Sequence, residues 1–284
     1  MNHKIPAFIF GIMLVLAAPA QTKPARLIVR GDDMGFSHAG NEALIKTCNE
    51  GIVRSVEVIV PSPWFPEAVK LLEKNPSIDV GIHIALSSEW ENVKWRPVTW
   101  CPSLTNGDGY FFPMIFKNKN YPGSALVENP WKPDEIEKEV RAQVALAVKK
   151  IPHISHISSH MGCTEIDKRV AAMVKKIARE YKIDIDPSDF AVQYIGYKGP
   201  SVTAADKFKS FMNMLDSLQP GQTYLFVDHP ALDGPEMRAI YHTGYENVAA
   251  DRQGVTDTWT NPLIMDAIRK KNIQLISYAD LKKQ

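Results

Sequence analysis

The sequence predicts an α/β fold: a single distorted βα barrel, TIM-like and with about seven strands. Short β-branched runs alternate with longer helical patterns, which is typical of β-α-β units and a parallel sheet. No internal repeat or linker divides the chain, and its 284 residues are enough to bury the core of one large domain. We expect a closed or nearly closed barrel, and a doubly wound open sheet is the alternative.

The individual elements follow from residue type and periodicity. Seven short, mostly apolar runs predict strands at 26–30, 55–60, 80–86, 156–159, 183–185, 222–227 and 274–276. Helical patterns lie between them, at 40–49, 66–74, 133–150, 167–181, 204–218 and 261–271. Pro133 precedes two acidic residues, which is a favourable helix start.

Composition excludes several classes of protein. The chain has 33 Lys and Arg against 32 Asp and Glu, a formal net charge of +1. It therefore lacks the basic surface of a nucleic-acid binder or of a polybasic membrane-surface protein. Three cysteines, Cys48, Cys101 and Cys163, are too few for a disulfide framework. We expect a small or neutral partner, no nucleic acid, and stability that comes from the core.

The first 20 residues predict a secretory signal peptide. Lys4 is followed by an apolar stretch from Ile5 to Leu16, and Ala18 and Ala20 form a small-residue cleavage site. An uncleaved anchor is the alternative, but the stretch is shorter than the roughly 20 residues of a spanning helix. No later run is long enough to span a bilayer. We expect cleavage near Ala20, export to the periplasm or medium, and one mature domain over 24–284.

Residues 87–132 have neither helical nor strand periodicity, yet they hold nine of the 26 aromatic residues. Long irregular loops in compact domains are usually functional. An insertion after a barrel strand lies over the C-terminal face, where active sites occur. We expect Trp90 and Trp95 to contact substrate, since an aromatic face suits the apolar face of a sugar ring. The alternative is a cap whose aromatics pack only on one another.

Two adjacent carboxylates, Asp32 and Asp33, end the first predicted strand. Side chains alternate along a strand, so Asp33 shares a face with Gly31, whereas Asp32 shares the other face with Arg30. We expect the face of Asp33 to point inward. Asp32 can reach the same site only if the chain turns here, as the flanking glycines permit. Such a pair is often only a turn or capping feature.

Histidines occur at or near the ends of three further predicted strands. His83 lies between small residues on one face, His160 shares a face with His156 and Ser158, and His229 ends the sixth strand. Each can also be a structural histidine bonded to the backbone. In a barrel, however, strand ends converge on one face. One carboxylate with two imidazoles makes a three-ligand metal site with open positions.

Four motifs occur in the order and at the intervals of one known family. They are RGDDMG at 30–35, GIVRS at 51–55, GIHIAL at 81–86 and HISSH at 156–160. Over nearly all of the mature chain this series resembles the YdjC-like (ChbG) carbohydrate deacetylases. The resemblance implies a distorted βα barrel that removes N-acetyl groups from amino-sugar oligosaccharides with a divalent metal. It implies the ligands Asp33, His83 and His160, the base Asp32 and the acid His229.

The chain departs from the family pattern at several positions. Arg30 and Gly31 stand where the family usually has Asn-Ala, and Ser158 stands where it has Asp, before Met161-Gly162 in place of a His-x-His pattern. Glu57 replaces a small hydroxyl residue. Arg30 and Glu57 come from adjacent strands and can form a structural ion pair. Alternatively, Arg30 contacts an anionic group of the substrate.

These observations lead us to expect an exported, metal-dependent hydrolase that acts on N-acetylated sugars. The metal, zinc or magnesium with cobalt or iron as alternatives, polarises the acetyl carbonyl while Asp32 deprotonates the attacking water. His229 then protonates the leaving amine. A hydrolase of another acyl bond and a non-catalytic sugar-binding protein are the alternatives. The sequence does not predict an oligomeric state.

Overall fold

The computed structural model describes Met1 and residues 23–283. Apart from Met1, the predicted signal peptide at 1–20 lies outside the described residues. No helix in the described part of the chain has both the length and the apolar character needed to cross a bilayer.

Seven parallel strands form one sheet. They are β1 (Arg26–Met34), β2 (Ser55–Val58), β3 (Asp79–Ile84), β4 (Ile154–Ser159), β5 (Gln193–Tyr194), β6 (Thr223–Asp228) and β7 (Gln274–Leu275). Their order is β4-β3-β2-β1-β6-β5, and β7 pairs with the start of β1. Among the described residues β4 and β5 are the two edges and do not pair with each other. The sheet is therefore a curled half-barrel, and the complete barrel that the sequence predicts is not confirmed.

Eight α-helices accompany the strands. They are α1 (His38–Asn49), α2 (Phe65–Lys74), α3 (Pro133–Lys150), α4 (Lys168–Glu180), α5 (Ala204–Ser217), α6 (Pro235–Arg238), α7 (Val248–Trp259) and α8 (Pro262–Lys270). The six helices that the sequence predicts are all present, and the sequence analysis missed α6 and α7. Helix α7 buries residues all around its circumference, from Val248 to Trp259. It therefore lacks the one-sided apolar stripe on which helix prediction depends.

The fifth strand lies later in the chain than predicted. Residues 183–185 form no strand, and β5 is the short segment Gln193–Tyr194. The apolar alternation that suggested a strand has another cause, because Ile183 and Ile185 are buried in two different parts of the core. Pro187 then begins a 3-10 turn at Pro187–Phe190, which takes the chain away from the sheet.

Two apolar layers lie on the two faces of the sheet. The larger core packs the helices on the outer face and includes Leu27 and Val29. A smaller cluster lies on the concave face and includes Ile28 and Tyr278. A side chain at Gly31 would overlap Leu44 of α1, so this residue also faces the helices. The prediction that the face of Gly31 points inward is therefore wrong, and the concave face carries Arg30 and Asp32.

A bulge at the end of β1 brings Asp33 to the concave face as well. Gly31 is paired with Val56 and Met34 with Val58, so three steps along β1 match two along β2. Within this irregularity Asp33 has a φ of 69°, in the left-handed region. The chain thus turns between Gly31 and Gly35, as the use of both carboxylates in one site requires.

The segment 87–132 is irregular, as predicted: it contains two short 3-10 turns, at Pro102–Leu104 and Leu126–Glu128, and isolated β-bridges, but no α-helix or strand of a sheet. Backbone hydrogen bonds fix it internally, for example from Ser88 to Phe112, and to the rest of the chain, from Glu91 to Tyr241. Its aromatic residues differ in exposure: Trp90 and Trp95 are buried, whereas Trp100 is 81% exposed and Phe116 49%. The segment is thus partly a packed cap and partly an open aromatic surface.

Candidate metal centre

Asp33, His83 and His160 lie together at the carboxyl ends of β1, β3 and β4. Each offers one ligand atom, and these atoms lie within 4.8 Å of one another. Asp33 Oδ1 is 3.6 Å from His83 Nε2 and 3.2 Å from His160 Nδ1. All three side chains are buried. Three separate strands therefore bring the three predicted ligands to one point.

The arrangement fits a divalent cation. Within residues 23–283, no hydrogen bond of acceptable geometry reaches the buried Asp33 Oδ1. His160 Nδ1 lies 3.2 Å from this oxygen but outside good hydrogen-bond geometry, and a cation between the oxygen and the two imidazoles would satisfy it better. One carboxylate and two imidazoles suit zinc, iron or cobalt better than magnesium.

Other side chains hold the far side of each candidate ligand. His83 Nδ1 lies 2.6 Å from Ser158 Oγ, and His160 Nε2 lies 3.1 Å from Glu89 Oε2. Arg252 of α7 donates to Asp33 Oδ2 at 2.9 Å. Sequence reasoning missed Glu89 and Arg252, because one lies in the irregular segment and the other on a helix without periodicity. No local signal marks either residue.

The pKa values of Asp33 and His83 fit metal binding, whereas that of His160 opposes it. The pKa of Asp33 lies well below its ordinary value: burial raises it, but His229, His160 and Arg252 together lower it by more. Burial lowers the pKa of His83 to about 4, so its imidazole is neutral. Burial also lowers the pKa of His160, but Glu89 and Asp33 outweigh this effect and raise it to about 10. Since a ligand must be deprotonated, metal binding would release a proton from His160.

Asp32 lies beside this group and is held by Arg30. Its two carboxylate oxygens accept from Arg30 Nε at 2.7 Å and Nη2 at 2.8 Å. Its Oδ2 is 3.7 Å from His83 Nε2. Arg30 also donates to the Tyr278 hydroxyl at 2.7 Å, and its Nε lies 3.7 Å from Glu57 Oε1. Arg30 thus forms buried ion pairs, as expected if its role is structural. The alternative, a contact of Arg30 with substrate, stays a prediction.

His229 lies at the end of β6 and is the most accessible of the predicted site residues. Its side chain is 38% exposed, and its Nε2 is 3.9 Å from Asp33 Oδ2. Its Nδ1 lies 3.5 Å from Asp228 Oδ1. Burial lowers the pKa of His229, but Asp33 and Asp228 outweigh this effect, so the pKa lies above its ordinary value. The imidazole can therefore carry a proton at the mouth of the site.

The two predicted substrate-binding tryptophans pack close to the site. Trp90 is 2% exposed, and the Cζ atom of Arg252 lies over its ring, 5.1 Å from the Trp90 ring centroid. Trp95 is 3% exposed, and its ring centroid is 6.4 Å from that of His160. Neither ring offers a face to a sugar in this structure, and their contact with substrate stays untested. The exposed Phe116 ring, one of the nine aromatics of the segment 87–132, lies against Gly162, two residues after His160.

Comparisons with known proteins agree with this description. The model of the YdjC-like protein family matches residues 26–270. A carbohydrate deacetylase 2 from Listeria innocua is 25% identical over 91% of the chain and all of the relative. A carbohydrate deacetylase from Geobacillus stearothermophilus is 27% identical over 92% of the chain and 99% of the relative. A crystal structure from Enterococcus faecalis V583, of a proposed cellobiose-phosphate cleavage protein, superposes with a TM-score of 0.69. It is 19% identical and covers 92% of this chain and 99% of its own, which shows a shared fold.

Proposed function

The chain belongs to the YdjC-like family, and from this membership and the site we propose that it is a metal-dependent carbohydrate deacetylase. Its reaction is hydrolysis of the N-acetyl groups of amino-sugar oligosaccharides. One observation carries the proposal: a buried Asp33 oxygen, which accepts no well-formed hydrogen bond from the described residues, faces two histidines, with a second carboxylate and an accessible histidine beside it. The names of the relatives supply the carbohydrate class of the substrate.

Asp33, His83 and His160 are the residues that would hold the metal. A divalent ion bound there would polarise the acetyl carbonyl and lower the pKa of a water molecule. Asp32 accepts the proton of the attacking water. Arg30 grips both oxygens of Asp32 and so fixes the orientation of the carboxylate in the site.

The amine leaving group requires an acid, which is the role we assign to His229. An amine leaves poorly unless its nitrogen is protonated, and attack on an amide otherwise reverses. The carboxylate of Asp228 lies beside His229 Nδ1 and stabilises the imidazolium. An ester substrate makes a weaker demand for such an acid, so this histidine favours amide hydrolysis.

Export is a separate part of the proposal. It is supported by the sequence alone, through Lys4, the apolar stretch that follows and the small residues around Ala20. The full-length gene should give a processed protein in the periplasm or medium whose N-terminal sequence begins near Gln21. A cell-associated protein that keeps its first 20 residues would contradict export without affecting the enzymatic proposal.

The deciding experiment measures acetate release from matched panels of N-acetylated and O-acetylated sugars, with chelated and metal-restored protein. We expect release from N-acetyl sugars that depends on metal and falls in His229→Ala. His38→Ala is the matched control, because this exposed histidine pairs with Glu67 away from the metal ligands. Release from O-acetyl sugars alone would indicate an esterase. Sugar binding without any release would indicate a binding protein.

A further inference from the structure

A row of buried polar side chains lies behind His83 on the concave face of β2 and β4. It consists of Glu57, His156 and Ser158, and Glu57 and His156 are completely buried. None of these side chains has a part in the chemical steps described above. Glu57 is nevertheless one of the positions at which the sequence is unusual, and Ser158 touches a candidate metal ligand directly.

The direction of the hydrogen bonds in this row can be assigned. The Ser158 hydroxyl donates to Glu57 Oε2, and Ser158 Oγ lies 2.6 Å from His83 Nδ1. A hydroxyl has only one hydrogen, and an ionised carboxylate has none to give. His83 Nδ1 must therefore be the donor to Ser158. A neutral imidazole carries one N–H, so the lone pair is on Nε2, the atom 3.6 Å from Asp33 Oδ1.

The surroundings of Glu57 keep its carboxylate ionised and in place. Its Oε1 contacts His156 Nε2 and lies 3.7 Å from Arg30 Nε. Burial raises the pKa of Glu57, but His156 and Arg30 outweigh this effect and bring it to about 2. His156 is itself held in place. Its Nδ1 lies 2.7 Å from Ser155 Oγ, and its ring stacks on that of Tyr278 with 3.7 Å between the ring centroids.

We propose that Glu57, acting through the Ser158 hydroxyl, is a positioning residue that sets the tautomer of His83 and aims its Nε2 at the metal. The inference rests on the proposed metal site of Asp33, His83 and His160. Groups that hold the distal nitrogen of a histidine ligand typically account for about 10- to 100-fold in metal affinity. Here the carboxylate acts through a hydroxyl of a neighbouring strand instead of touching the imidazole.

Four variants separate this role from simple packing. Ser158→Ala removes the relay, and Ser158→Thr keeps the hydroxyl. Glu57→Gln supplies an amide that can donate to Ser158 and so turn its hydroxyl towards His83 Nδ1. Ser159→Ala is the matched control, because this neighbouring hydroxyl accepts from the Thr164 backbone at 3.0 Å and does not contact His83.

Two measurements apply to each variant. The first is the affinity for Zn²⁺ in competition with a chelator. The second is the ring tautomer of His83 in the metal-free protein, from two-bond ¹H–¹⁵N spectra assigned with His83→Ala. We expect Ser158→Ala and Glu57→Gln to lose about 10- to 100-fold in affinity and the preference for the Nδ1–H tautomer. Ser158→Thr and Ser159→Ala should keep both.

Three results would overturn the inference. They are an Nε2–H tautomer in the parent protein, unchanged affinity in Ser158→Ala, and an equal loss in Ser158→Ala and Ser159→Ala. If Glu57→Gln does not fold, the Ser158 series decides alone. If the parent protein binds neither Zn²⁺ nor Mg²⁺, Co²⁺ or Fe²⁺, the proposed function fails, and the tautomer measurement then decides the inference separately.

Discussion

The same isosteric change, aspartate to asparagine, should have different effects at the adjacent positions 32 and 33. Both carboxylates lie near His83 Nε2, at 3.7 and 3.6 Å. Asp33 faces the candidate metal ligands, whereas both oxygens of Asp32 are bound by Arg30. We therefore expect Asp33 to determine metal occupancy and Asp32 to determine the rate of the chemical step.

Asp33→Asn should weaken metal binding without disturbing the backbone. Asparagine tolerates the left-handed conformation seen here, at a φ of 69°. The change removes the one anionic ligand and leaves the buried guanidinium of Arg252 without its carboxylate partner. Arg252 also lies over the rings of Phe36 and Trp90, which do not neutralise its charge. Breaking such a buried pair costs about 3–5 kcal/mol of unfolding free energy. Added metal should partly restore activity.

Asp32→Asn should keep full metal occupancy. It replaces one of the two acceptors of Arg30, which retains Tyr278 and the nearby Glu57. The cost to stability is accordingly smaller, about 1–3 kcal/mol for a donor left without a partner. Loss of the general base should lower kcat by about 10²- to 10⁴-fold, with no recovery on adding metal.

Three assays on both variants test this division. Elemental analysis gives metal occupancy, acetate release across a metal titration gives kcat, and urea unfolding of the metal-free proteins gives stability. Exchange of the two phenotypes would reverse the assigned roles of Asp32 and Asp33. A fully active Asp32→Asn would show that Asp32 has no catalytic part, and the base would have to be sought elsewhere.

Three further predictions concern residues around the site. The depressed pKa of Glu57, about 2 against an ordinary 4.5, gives about 3 kcal/mol of stability above pH 4.5 that is lost as the pH falls towards 2. The free energy of unfolding of Glu57→Gln, measured with urea, should therefore fall less steeply with decreasing pH than that of the parent protein. Equal pH slopes for the two proteins would contradict this prediction. Glu89→Gln should weaken Zn²⁺ binding about 10- to 100-fold, because a neutral amide replaces the anionic partner of His160 Nε2. Chelator competition measures this, and unchanged affinity would show that Glu89 is only a packing residue. Phe116→Ala should raise KM roughly 2- to 10-fold at constant kcat, the value of one aromatic contact, whereas the exposed Trp100→Ala should change neither constant. Equal effects of the two substitutions would rule out a specific contact between the Phe116 ring and the substrate.

Much of the candidate site could be predicted because its residues follow strand periodicity. His83 shares the concave face with Gly81, whose missing side chain leaves room for Glu57 and His156. His156 and Ser158 alternate in the same way on the neighbouring strand. Alternation is a local property, so it can be read from sequence even when the final contacts are distant.

The remaining site residues leave no such local trace. Arg252 reaches Asp33 across 219 residues of chain from a helix buried on all sides. Glu89 reaches His160 from a segment without any period. The edge of the sheet was misplaced for a related reason, since Ile185 alternates like a strand residue while filling the concave cluster. Burial of alternate residues in a segment without strand hydrogen bonds produces the same alternation of apolar side chains as a true strand.

Because Asp33 is the extra residue of a bulge, deleting this one residue would remove a candidate metal ligand without changing the pairing of β1. Val29 and Gly31 face the helices at odd positions, and Met34 packs in the same core at an even one. Loss of Asp33 would restore unbroken alternation and keep each apolar side chain on its own side. The shortened chain should therefore keep its circular dichroism spectrum and its sheet, although the unpaired Arg252 lowers its stability, and it should lose the anionic ligand. A single in-frame deletion would then remove the candidate metal site from a chain that still folds, and the reverse insertion is equally short.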